Sequence, residues 1–247
     1  MNIEIAQDNA VGRLYLILKQ LKNEYTSPPL KVMAKLFDVD ISDIAAILYN
    51  YAELFSLAKA IKDDINSIPN INHDRYISPI DTVILGLSKI NINASRGLEQ
   101  FNTDVSSNVM VRLEYCAELL SRERKERVFN KAELTKLQQD IEDLIKEIDE
   151  MDKSCIDNEI KAFLISNLEQ VRVAIINYKL WGSKGIKEIL ENSVGSIILH
   201  ANSFEEVKDQ KAGRKVLAFL TGLGSIVAPL KETKELVDSI AKLFLDK

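Results

Sequence analysis

The chain has 247 residues, 46% of them hydrophobic and 28% charged, which is enough apolar material for one large core or two small ones and excludes a disordered chain. With 32 basic against 37 acidic side chains the net charge is −5, so there is no overall electrostatic pull toward nucleic acid or anionic lipid, and any such contact has to be local. Two cysteines, Cys116 and Cys155, and two histidines, His73 and His200, are too few for a disulfide framework or for a histidine-rich metal site.

Nine glycines and five prolines give few turn signals, and apolar residues recur every three or four positions rather than every two. The expected fold is therefore all-α: a multi-helix bundle with a long antiparallel helical hairpin and a C-terminal apolar helix. The opening stretch MNIEIAQDNAVGRLYLILKQL has acidic residues where a signal peptide carries basic ones, and Arg13 and Lys19 break its apolar run. A cytoplasmic protein with reduced, buried cysteines is expected.

A first helix is expected over about residues 3–24, with Val11, Leu14, Leu18 and Leu21 on one face, ended by Ser27-Pro28-Pro29. A short helix near 30–37 and a long one near 41–67, capped by Asp40 or Ser42, should follow. Together Leu30 to Tyr51, LKVMAKLFDVDISDIAAILYNY, resemble a helix-turn-helix, with Ala34 in the small position, Val39 after the turn, and Ile44 and Ile47 holding the second helix in the core. That second helix begins with Asp40, Ser42 and Asp43 and has no basic residue before Lys59, which suits an acidic major groove badly. A structural helical corner is expected there, and DNA binding is not.

Residues 68–79, with two prolines and several Asn and Asp, predict an irregular connector, followed by a helix over about 80–91, a loop through Asn91, Asn93 and Gly97, and a further helix from Ser107. The expected division is an N-terminal subdomain 1–103 and a C-terminal part 104–247, with one continuous domain as the alternative. The strongest helical periodicity runs from Lys131 to Met151, where Leu134, Leu137, Ile141, Leu144, Ile145, Ile148 and Met151 share a face and Asn130 with Glu133 forms a capping-box pattern. After a break at 153–157, Ile160, Phe163, Leu164, Leu168, Val171, Ile175 and Tyr178 line a second helix, the expected partner in the hairpin. Trp181-Gly182-Ser183-Lys184-Gly185 should stop it, and Ile186 to His200 should form the next helix.

Catalytic motifs are missing. His73 and His200 stand in no metal-ligand spacing; His73 reads as a loop-capping residue and His200 as a cation at a helix end. Gly222-Leu223-Gly224 lacks the third glycine and the preceding strand of a dinucleotide turn. No catalytic residue, cofactor or small-molecule substrate is expected. One acidic pattern points elsewhere: Glu205-Glu206-Val207-Lys208-Asp209 and Glu235-Leu236-Val237-Asp238 resemble the paired acidic helices of the all-α nucleoside-triphosphate pyrophosphatases related to MazG. That resemblance implies magnesium held by Glu205, Glu206, Asp209, Glu235 and Asp238 against a triphosphate. It covers residues 205–238 only, and a long apolar run separates the two acidic groups.

That run, VLAFLTGLGSIVAPL from Val216 to Leu230, is the most unusual stretch of the chain: fifteen residues without a charge. Ala218, Gly222, Ser225 and Ala228 fall roughly on one helical side, Ala218 with Gly222 and Gly224 with Ala228 have the spacing that lets helix backbones approach closely, and Pro229 ends or kinks the helix. The run is shorter than the roughly twenty residues of a straight membrane span, and no other segment is read as reaching that length. It is expected to be a buried bundle helix, with an oligomer interface and triggered membrane insertion as the other readings. The layout from PLKVMAKLFDVD through the helix ending at Tyr178–Gly185 to the apolar tail is similar to all-helical bacterial proteins of uncharacterised activity. The expected function is a non-enzymatic helical interaction protein with a protein partner or homo-oligomeric contact. The alternatives are a membrane-inserting, toxin-like or phage-defence effector, and the magnesium-dependent pyrophosphatase.

Overall fold

The computed structural model describes residues 7–123, 126–152, 156–199 and 211–227. Among them the chain forms ten helices and no strand, so the fold is all-α. It divides into two compact units, Met1–Glu126 and Arg127–Lys247.

The first unit contains α1 (Ala10–Asn23), α2 (Pro29–Phe37), α3 (Ile44–Asn66), α4 (His73–Ser88), α5 (Glu99–Asp104) and α6 (Ser107–Glu123). The helix α1 starts where the Asn9 side chain accepts the amide of Gly12 at 3.0 Å, and it buries Val11, Leu14, Ile17, Leu18 and Leu21 completely against α2, α3 and α6. Pro28 caps α2 and Pro29 is its first residue, where a missing N–H costs nothing because no intrahelical acceptor waits for it. Asp38 ends α2 in the left-handed conformation, φ 57°, donating its amide to the Ala34 carbonyl. The cap of α3 is Asp43, not Asp40 or Ser42: its carboxylate accepts the Ala46 amide at 2.9 Å. Asp40 closes the preceding turn instead, accepting the amide and the hydroxyl of Ser42 at 2.8 and 2.6 Å.

The expected irregular connector 68–79 is a correction. Helix α4 begins at His73, capped by the side chain of Asn72, and runs through Pro79. Proline leaves the carbonyl four residues back without its helical donor. Arg112 on α6 supplies a replacement, donating from Nη2 to the Arg75 oxygen at 3.0 Å, and Cys116 Sγ on the same helix donates to the Tyr76 oxygen at 3.5 Å. The helix survives its proline because α6 lies alongside it. His73 is the first residue of α4 and its Nε2 hydrogen-bonds the Ile68 carbonyl at 2.9 Å.

The unit boundary at Glu126 also differs from the expected 103/104, which falls inside α5, whose Phe101 is fully buried. The chain remains tied to this unit well past 104. Asn9 Nδ2 donates to the Ala117 carbonyl at 2.9 Å, Ser121 Oγ to Asp8 at 2.9 Å, the Glu126 amide to the Asp8 carbonyl at 2.7 Å, and Arg13 pairs with the Glu126 carboxylate at 2.7 Å. Buried polar groups need such partners, and here they bind the first helix to the end of the sixth.

The second unit holds α7 (Lys131–Asp149), α8 (Asn158–Ile176), α9 (Tyr178–Leu199) and α10 (Lys211–Val227). Asn130 and Glu133 form a reciprocal capping box at the start of α7. One core joins Ile141, Leu144 and Ile148 of α7, Leu164, Leu168, Val171 and Ile175 of α8, Ile186 and Leu190 of α9, and Val216, Leu220, Leu223 and Val227 of α10. Lys161, near the start of α8, pairs with Asp149 at the end of α7 at 3.4 Å. The Tyr178 hydroxyl, just beyond α8, accepts the Phe129 amide at 2.9 Å, and the two rings meet edge to face 5.6 Å apart. Gly182, at φ 64° and ψ −166°, breaks α9 into two helical stretches in a conformation open in practice only to glycine.

Candidate interaction surfaces

Helix α10 is two-sided. Val216, Leu220, Leu223 and Val227 recur at helical spacing and are buried, with Phe219 half-buried beside them, and the helix packs on α7, α8 and α9. Lys215 fixes it electrostatically to Glu147 of α7 at 2.5 Å. Gly224 lies on the buried side. Ala218, Gly222 and Ser225 lie on the other side and are exposed, and a side-chain carbon placed on Gly222 would meet no atom within 4 Å. Among the described residues, α10 is therefore covered on one side. Half of its circumference suffices to bury its large residues, and the small ones face outward. Ser225 turns its hydroxyl back onto the Gly222 carbonyl at 2.7 Å, so the stripe carries no outward donor that needs an outside acceptor. Ile226 borders it, 38% exposed.

Ala228 and Pro229, and all five carboxylates of the magnesium reading, Glu205, Glu206, Asp209, Glu235 and Asp238, lie outside the described residues, as do Cys155 and His200. Among the described residues no group of three or more His, Cys, Asp or Glu is placed to hold a metal ion. Cys116 is free and buried, and burial pushes its thiol up to about 12.

A second surface has no counterpart in the sequence expectations. Helix α3 buries Ile47, Leu54, Leu57, Ala58, Ile61 and Ile65, yet Ile44, Leu48 and Tyr49 on its outer face are 42%, 48% and 51% exposed, and Ile41 in the preceding turn is 50% exposed. Ile44 was expected in the core of a helix-turn-helix. Ala34 and Ile47 are buried there, but Ile44 points to solvent, because the helix begins only at that residue and Ile47 takes the inward position. The would-be recognition helix thus presents mainly aliphatic and aromatic side chains, which lack the paired donors and acceptors that tell most base pairs apart. Ala45, Ala52, Ser56 and Lys59 continue the outer stripe. By length and composition α3 is apolar enough to cross a membrane, with 33% of its most apolar window buried, which corrects the view that no segment reaches that length. Glu53 and Lys59 interrupt every unbroken apolar run, so only the average over the helix reveals it. The signal in the sequence was an apolar pattern around the whole circumference rather than along one stripe.

Comparison with models of protein families, with curated proteins and with solved structures finds no match.

Proposed function

We propose that this is a non-enzymatic helical interaction protein whose second unit is an antiparallel hairpin of α7 and α8 in a helical bundle, with α10 docked on it to offer its outer face to a protein helix. The observation that carries the reading is the exposure of Ala218, Gly222 and Ser225 on a helix anchored by its opposite face. Small residues at that spacing let a second backbone come close, and the anchoring means that docking orders no further part of the helix. The hairpin arrangement is supported by two links at opposite ends: Lys161 with Asp149 where the helices join, and Tyr178 with Phe129 where they would both end.

The test is a photoreactive amino acid placed at Ser225 in cells. A protein adduct that disappears with Gly222→Leu is expected. An adduct to lipid alone would instead favour the membrane-inserting effector, and no adduct at all would remove the docking role. Magnesium-dependent release of pyrophosphate from a nucleoside triphosphate, lost in Glu235→Ala, would overturn the non-enzymatic reading.

A further inference from the structure

The exposed face of α3 is a second contact surface, and its residue pattern specifies what it fits. Along one stripe α3 runs Ile44, Ala45, Leu48, Ala52, Ser56, Lys59, with Tyr49 beside Leu48 and with Asp40, Ile41 and Asp43 in the turn before the helix, so that large apolar residues precede small ones and acidic residues precede a lysine. Asp40 and Asp43 supply the acidic residues, and the Ser42 hydroxyl and amide hold the Asp40 carboxyl below the usual carboxylate range. Such a stripe is complementary to itself when reversed. Turning a second helix end for end about a point near residue 50 sets Leu48 of one copy against Ala52 of the other, Ile44 against Ser56, and the Asp40 end beside Lys59. Large meets small, as knobs meet holes, and negative meets positive at both ends.

We infer that α3 is a homodimerisation helix, its first two-thirds pairing antiparallel with α3 of a second copy of this chain about a two-fold axis near residue 50. A two-fold contact uses the same patch on both copies and closes on itself, so the product is a dimer and not a filament. A single helix pair is small for a protein interface, so the dimer is weak and concentration-dependent. This surface belongs to the first unit, and that of α10 to the second.

Sedimentation velocity of the full chain over a concentration series tests it. The native chain should pass from monomer to dimer. Leu48→Glu should weaken association roughly tenfold or more, while its helical circular dichroism and melting temperature stay those of the native protein, since Leu48 contributes little to the core. Lys59→Glu should weaken it, and adding Asp40→Lys to that variant should restore it, an outcome that no loss of folding can imitate. Gly222→Leu should leave the dimer intact, which separates this inference from the docking role of α10. A chain monomeric at every concentration, a dimer indifferent to Leu48→Glu, or a monomer that floats with phosphatidylcholine vesicles through Leu48 would each overturn it.

Discussion

At the scale of single residues, two glycines show how the same amino acid is used for opposite reasons. A carbon added to Gly86 of α4 would lie 2.9 Å from Val105 Cγ2 and 3.4 Å from Phe101 Cδ2, so this glycine lets α5 and the chain after it press against α4. Val105 is β-branched and stiff, and it cannot turn away cheaply. Gly222 has open space. In a helix alanine is favoured over glycine by about 1 kcal/mol, while overpacking costs about 1–3 kcal/mol. Gly222→Ala should therefore stabilise the protein by up to about 1 kcal/mol and Gly86→Ala should destabilise it, as read from urea midpoints. The sequence shows two glycines within helical patterns; only the neighbours distinguish a close approach from an open surface.

At the scale of elements, most helices were legible because their amphipathic stripes and caps are local. The capping box of Asn130 and Glu133 and the buried face of α1 depend on residues within a few positions of one another, whereas the stop expected at 181–185 is a correction: α8 already ends at Ile176, and Gly182 breaks α9 instead. Helix α4 was not legible, because its proline is tolerated through a donor on α6. That coupling is measurable. Arg112→Met should cost about 0.5–1 kcal/mol in the native background. In Pro79→Ala the new amide can donate to the Arg75 carbonyl, so the same change should cost less. A double-mutant cycle with no coupling energy would show that Arg112 does not serve that carbonyl. The long helix α3 was found at nearly its right length, but its burial was not. Apolar residues on all sides leave open which ones face the core.

At the scale of the whole molecule, the first unit should show an alkaline titration of its own, to which Tyr15, raised to about 12 by burial and by Glu114, also belongs. Burial raises the Tyr51 hydroxyl to about 12 from an ordinary 10.0 and the Cys116 thiol to about 12 from 9.0, and both belong to the first unit. Each folded group keeps its proton where the unfolded chain has lost it, so their contribution is fully present below pH 9 and is lost as pH rises from there toward 12. The urea midpoint of residues 1–126 expressed alone should fall steadily over that range, provided the unit folds without the rest. Cys116→Ala should flatten the first part of the fall, near pH 9 to 10. An unchanged profile in that variant would mean the thiol is not the group responsible.

The division between sequence and structure follows from range. Periodicity, caps and helix breakers act over one or two turns, and so the amino-acid sequence by itself determined that the chain is helical, where α2, α3, α6, α7 and α8 begin to within a few positions, and which face of α7 and α8 turns inward. Contacts between distant segments decided the rest: that Arg13, Asp8 and Glu126 carry the first unit on to residue 126, that Pro79 sits inside a helix, that the small residues of α10 face outward, and that α3 leaves Ile44, Leu48 and Tyr49 uncovered. An apolar residue states only that it gains by leaving water. Which surface it leaves water for depends on what the fold brings beside it.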